Sequence, residues 1–161
     1  MNSMLIREIQ QADNEQVAKV LRTVLEELGV PKVGTAYADP AVDAMYEAYN
    51  KPGAVYFVLE NEGKILGGAG VAQLDNYDGP VCELQKMYFL NEVRAMGLGR
   101  KMIDTCIAKA REFGYEQMYI ETMPYMKQAQ QLYLKNGFYY IDQPMGDTGH
   151  SACPVWLLKD L

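Results

Sequence analysis

Between an apolar stretch and a helical pattern, the chain reads Arg94-Ala95-Met96-Gly97-Leu98-Gly99-Arg100-Lys101. A helix N-terminus carries unpaired backbone N–H groups and a partial positive charge. Glycines let an anion approach those amides closely, and Arg94, Arg100 and Lys101 add charge of the matching sign, so phosphate or pyrophosphate is the natural ligand. The same residues would also make a plain strand-to-helix turn with solvated arginines, and a lone Gly-x-Gly does not separate the two readings. A P-loop needs Gly, four residues, then Gly-Lys-Ser/Thr, which "GLGRKM" does not supply. The dinucleotide fingerprint needs a third glycine where Met102 stands, and more strands after it than this chain has left. What is left is Arg-x-x-Gly-x-Gly.

The elements that must hold this turn can be read from periodicity. "MLIREI" alternates as a short opening strand, and Val17, Val20, Leu21, Val24, Leu25 and Leu28 then recur at helical spacing, with Asp13 or Asn14 as cap and Gly29 as stop. Asp39 and Pro40 start a shorter helix with Val42, Met45, Tyr46 and Tyr49 on one face. "AVYFVLE", "NEG" and "KILGGAGVAQL" form a hairpin, in which Gly67, Gly68 and Gly70 mark a bulge or a close backbone approach. From Val81 the order is strand, glycine turn, helix from Leu98 to Phe113, strand, helix around Met126 to Lys135, strand, and a last strand in "CPVWLLKDL". A strand-helix-strand unit of this length implies a parallel pair. No repeats or linkers interrupt the 161 residues, so one α/β domain with a mixed sheet is predicted over 1–161.

Composition narrows the partners. Lys and Arg total 15 against 21 Asp and Glu, a net charge of -6, which argues against a nucleic-acid or anionic-membrane surface. A small or cationic substrate fits better. Cys82, Cys106 and Cys153 lack metal-ligand spacing, so no metal is expected, and reduced thiols suit a cytoplasmic protein. There is no apolar signal core at the start and no run of about 18 apolar residues.

The Arg94, Gly97, Gly99 pattern resembles the acyl-CoA pyrophosphate loop of the GNAT superfamily of N-acetyltransferases. The downstream "AQQLYLKNGFYY" is similar to that family's second signature, a helix with Leu-Tyr shortly before Gly-Phe. The two lie in the family's order and separation. "GGAG", "CELQKMYFL" and "ETMPYMKQAQQLYLKNGF" resemble one bacterial branch whose members are mostly of undefined substrate.

The resemblance implies a GNAT-like fold: a mixed, mostly antiparallel sheet with one splayed parallel pair and about four helices. It implies acetyl-CoA as co-substrate, without a metal, and transfer to a primary amine of a small molecule or peptide. Met87, Tyr88 and Phe89 match the strand whose free backbone groups pair with the pantetheine. Ala95, Met96, Gly97, Leu98, Gly99 and Arg100 match the loop that holds the pyrophosphate, and Arg94 belongs to its signature. Tyr133 occupies the place of the general acid. Glu83, six residues before Phe89, and Glu121, at the end of the next strand, match two places where members carry a glutamate base. Alternation puts Gln85 on the face of Glu83. Met126 stands where many members carry a cofactor-contacting asparagine. Tyr37, Tyr46 and Tyr49, between the first two helices, and His150, the only histidine, are candidates for the acceptor pocket. A homodimer through C-terminal strands would follow the family habit. A non-catalytic acyl-CoA-binding module is the competing expectation. Cys82 lacks the setting of an acyl-carrying nucleophile.

Overall fold

The computed structural model describes residues 4–33, 36–148 and 153–161. Seven strands form one sheet in the order β1-β2-β3-β4-β5-β7-β6. They are β1 (Met4–Glu8), β2 (Val55–Asn61), β3 (Lys64–Gln73), β4 (Val81–Phe89), β5 (Gln117–Thr122), β6 (Tyr139–Ile141) and β7 (Val155–Asp160). Only β4 and β5 pair in parallel; the other neighbours are antiparallel.

Four α-helices pack on this sheet. α1 (Asn14–Glu27) follows a 3-10 turn over Gln11–Asp13. The Asp13 carboxylate accepts the Gln10 N–H at 2.7 Å and is gripped by Arg7 at 2.8 Å, so the expected cap is also an ion-pair anchor. Val17, Val20, Leu21, Val24 and Leu25 are buried, as their spacing demands. The second helical segment differs from expectation at its start. It opens as a 3-10 turn over Pro40–Ala44, with the Asp39 carboxylate accepting the Ala41 N–H at 2.9 Å, and becomes α-helical only in α2 (Met45–Tyr49). The tighter turn rotates the face, so Val42, Met45 and Tyr49 are buried while Tyr46 is half-buried. α3 (Leu98–Glu112) buries Leu98, Met102, Ile103, Cys106, Ile107 and Ala110, and α4 (Lys127–Lys135) buries Tyr133. Among the described residues no helix is long and apolar enough to cross a membrane.

The glycines of β3 serve both purposes that the sequence allowed. The register slips opposite Gly68 and Gly70, where one extra residue sits on β4, and there Lys86 takes a left-handed φ of 49°. That is a β-bulge, which bends the bulged strand. The Tyr56 hydroxyl donates to the Lys86 carbonyl at 2.9 Å and pins the bend. Gly67 lies under the Phe89 ring, Gly68 under Tyr56, and Gly70 under both Tyr56 and Tyr49. A Cβ on Gly70 would meet the two tyrosine rings at 2.7 and 2.8 Å. Gly70→Ala is therefore expected to destabilise the fold by about 1–3 kcal/mol. A lower urea midpoint with an unchanged slope would be the signature.

Candidate active site

The parallel pairing of β4 and β5 ends early. Val81, Cys82 and Glu83 pair with Gln117, Met118 and Tyr119, and beyond Glu83 the two strands part. A cavity of about 630 Å³ occupies the gap, walled by β4 from Leu84 to Phe89, by Ile120 to Met126, by the loop before α3, by α4, and by Val24, Leu28 and Val30 from α1 and the turn after it. Side chains alternate across the opened strands. Leu84 and Ile120 belong to the core packed against α3, whereas Glu83 and Glu121 take the opposite face, towards α1 and α2.

The loop at one end leaves a row of backbone amides free. Ala95 and Gly97 both adopt left-handed backbone, at φ 64° and 76°. Among the described residues, the N–H groups of Ala95, Met96, Gly97, Leu98, Gly99 and Arg100 have no hydrogen-bond partner. A Cβ at Gly97 would meet nothing within 4 Å, so space lies in front of the amides. Gly99 matters for packing instead. A Cβ there would lie 2.8 Å from Leu132, and its absence lets α4 approach the start of α3. Arg100, Lys127 and Lys135 line this part of the cavity. Arg94 lines it too, but its side chain is engaged: Nε donates to the Phe89 carbonyl at 2.9 Å and the guanidinium faces Glu27 at 3.3 Å.

Tyr133 stands farther along the wall. Its ring tilts against Phe138 with centroids 5.9 Å apart, and its hydroxyl makes no hydrogen bond among the described residues. Burial pushes the phenol up to about 12. Met87, Tyr88 and Phe89 line the cavity as a group. Met126 also lines it; its sulfur accepts from the Thr122 hydroxyl at 3.3 Å and its chain packs on Leu25 and Val30. Apolar packing thus fills the place where an asparagine was the family expectation.

The two carboxylates are placed differently. Glu121 lines the cavity, with its oxygens accepting from Tyr119 at 2.7 Å and from Thr148. Glu83 is 2% exposed, and its Oε1 accepts from the Gln85 amide at 2.6 Å. Burial pushes its carboxyl up to about 8, opposed by the Gln85 hydrogen bond and reinforced by Glu121.

Tyr37 is not part of this wall. Its hydroxyl donates to Glu26 at 2.7 Å, Lys32 sits 5.0 Å over its ring, and it packs on Leu25 and Val30, as Tyr88 and Met126 of the wall do. His150 lies outside the described residues. Cys82 is fully buried and its thiol is pushed up to about 12, which suits packing and not nucleophilic attack. Tyr119, Thr148, Tyr125 and Cys153 belong to the site and were not singled out for it from the sequence. Alternation of Tyr119 with Glu121 was the available signal for the first. Thr148 is 27 residues from Glu121, and nothing local announces that pairing.

A sheet opened between its one parallel pair, with a row of free amides at a helix start and a buried phenol lining the same cavity, suits an elongated ligand with an anionic group at one end. A family model described as acetyltransferase (GNAT) family matches residues 19–138. The chain is 41% identical over 160 residues, 99% of its own length and 96% of the relative's, to the uncharacterized N-acetyltransferase YjgM of Escherichia coli (strain K12). A GNAT-family acetyltransferase from Staphylococcus aureus Mu50 superposes with a TM-score of 0.87 at 21% identity, covering 99% of each chain. YncA from Salmonella typhimurium, solved with acetyl-CoA, superposes at 0.77 with 22% identity, covering 99% of this chain and 94% of that one. The chain belongs to the GNAT family of acetyltransferases.

Glu83 makes stability pH-dependent. Its carboxyl ionises near 8 in the fold and near 4.5 when unfolded, so the wild type loses stability as pH rises from about 4.5 to about 8, then levels off. Glu83→Gln removes that loss. Its melting temperature should match the wild type at pH 4.5 and exceed it by several degrees at pH 8 and above, as scanning calorimetry would register.

Proposed function

We propose that the protein transfers an acetyl group from acetyl-CoA to a primary amine of a small molecule or peptide, by direct attack in a ternary complex. The observation that carries this reading is the continuity of one cavity from the free amides at 95–100 to the unpartnered Tyr133 hydroxyl. Acetyl-CoA, when bound, supplies an activated thioester carbonyl. The amides of Ala95 to Arg100 are suited to the pyrophosphate, with Arg100 and Lys127 adding charge. Met87, Tyr88 and Phe89 would offer backbone groups to the pantetheine as an added strand does, and an N–H of that strand would polarise the carbonyl. Met126 would contribute packing at the same arm.

The acceptor side carries the proton chemistry. An alkyl amine of pKa ~10 must lose a proton before it attacks. Glu83, with its carboxyl near 8, is a far stronger base than an ordinary glutamate and is the base in this reading, reached through the acceptor or one ordered water. Glu121, fixed by Tyr119 and Thr148, presents negative charge to the incoming ammonium. Tyr133 gives a hydrogen bond to the departing sulfur. The unpaired cysteines fit a reducing, cytoplasmic setting.

Mixing the enzyme and acetyl-CoA with a panel of amines, amino acids, polyamines and peptides should release free CoA with at least one class. Thiol release at background across the panel, with acetyl-CoA still binding, would overturn the reading. Tyr133→Phe should cut turnover on the order of a hundredfold with little change in acetyl-CoA affinity. Steady-state kinetics beside calorimetric titration separate the two quantities.

A further inference from the structure

Glu83 sits at the end of a hydrogen-bonded chain that begins outside its own strand. The Tyr49 hydroxyl, from the last residue of α2, donates to Oε1 of Gln85 at 2.5 Å. Nε2 of the same amide donates to Oε1 of Glu83 at 2.6 Å. Both contacts are short for their type. The backbone makes room for this: Gly70 is the register partner of Gln85, and without a side chain it lets the Tyr49 ring lie across β3 and reach β4.

The order of donors matters chemically. A glutamine amide has an acceptor end and a donor end, and turned the other way it would set its carbonyl against the Glu83 carboxyl. Tyr49 donates to the acceptor end, which leaves the NH2 group for Glu83. We propose that Gln85 and Tyr49 are positioning residues for the acetyl transfer, aiming the Glu83 carboxyl and setting its proton affinity, an inference that rests on the function proposed above.

Other groups around Glu83 do not replace this donor. Glu121 and Asp75 disfavour its charge, as burial does. Lys86 favours it, but its ammonium is paired with Asp39 at 3.1 Å. Cys82, Tyr88, Tyr119 and Cys153 are near enough to feel the carboxylate, and each is neutral while its own proton stays on. The amide of Gln85 is thus the direct stabiliser of the ionised form. Losing it leaves burial opposed only by the more distant charge of Lys86 and moves the carboxyl to a higher pH.

The test reads Glu83 itself. In protein carrying 13C-labelled glutamate, the carboxyl signal missing from Glu83→Gln identifies the residue, and its titration is followed in wild type, Gln85→Leu and Tyr49→Phe without ligand. Gln85→Leu should raise the midpoint by about one pH unit, and Tyr49→Phe should raise it by less. The acid limb of kcat/KM should move with it in each variant, while the high-pH plateau is kept. A midpoint unmoved in both folded variants overturns the relay, whatever the enzyme acetylates. A midpoint that moves while the rate limb stays overturns the link to the base. Should Gln85→Leu fail to fold, Tyr49→Phe, which removes one hydroxyl, decides alone. No turnover by wild type with any amine would sink the acetyl-transfer reading separately, with the titration still deciding whether the relay sets the carboxyl.

Discussion

The structure turns on where β4 and β5 let go of each other. Each strand stays paired on its outer side: β4 continues along β3 through Tyr88 and Phe89, and β5 continues along β7 through Thr122. Between them the ladder stops after three residue pairs. The bulge at Lys86 supplies the cause, because an extra residue on β4 bends that strand with β3 and away from a straight neighbour. Freed backbone groups inside a sheet are costly unless something else pairs with them. A ligand that behaves as a strand is one solution, and the gap is therefore both a weakness of the fold and its binding apparatus.

Opening the sheet also joins two faces that a closed sheet keeps apart. The face towards α3 is apolar apart from the amide row and cations near the helix start, whereas the other face carries Glu83 and Glu121. In the proposed reaction an anionic cofactor would lie along the amide row and a cationic acceptor would approach Glu121, which lines the same cavity, with Glu83 buried behind it. The three glycines of β3 are part of the same arrangement. By yielding space to Tyr56 and Tyr49, they let one tyrosine hold the bulge and the other reach Gln85. Burying a carboxyl costs stability, and a group kept near pH 8 is a cost that a purely structural sheet would not carry.

Much of this was legible in the residues themselves. Strong periodicity exposed α1 and α3, and the spacing of Arg94, Gly97 and Gly99 marked the turn whose amides are free, since both depend on neighbours close in sequence. The bulge was not legible on β4, because "VCELQKMYF" alternates without a glycine, and the left-handed turn falls on Lys86. Its cause lies on other strands, in Gly68, Gly70 and Tyr56. Tyr37, expected near the acceptor pocket because it lies between two helices, is held by Glu26 and packs on Leu25 and Val30 just behind the cavity wall. That Glu83 shares a face with Glu121 depends on the register of β4 against β5, and a one-residue shift would turn Glu83 to the α3 side.

Burial raises the proton affinity of both Glu83 and Tyr133, and for the proposed reaction the two consequences differ. For Glu83 it makes a weak base strong enough to compete for an amine proton near neutral pH. For Tyr133 it makes a weak acid weaker, near 12, above the ~8.5 of an ordinary thiol. Complete proton transfer from that phenol to a thiolate would run uphill by roughly three pH units. The hydroxyl is therefore better suited to donate a hydrogen bond as negative charge gathers on sulfur, keeping its proton through the step. For a hydroxyl as buried as that of Tyr133, one such bond is worth more than in water. In the proposed reaction the net proton balance then falls on the acceptor side, and the aim and affinity of Glu83 matter more there than an acid on the cofactor side.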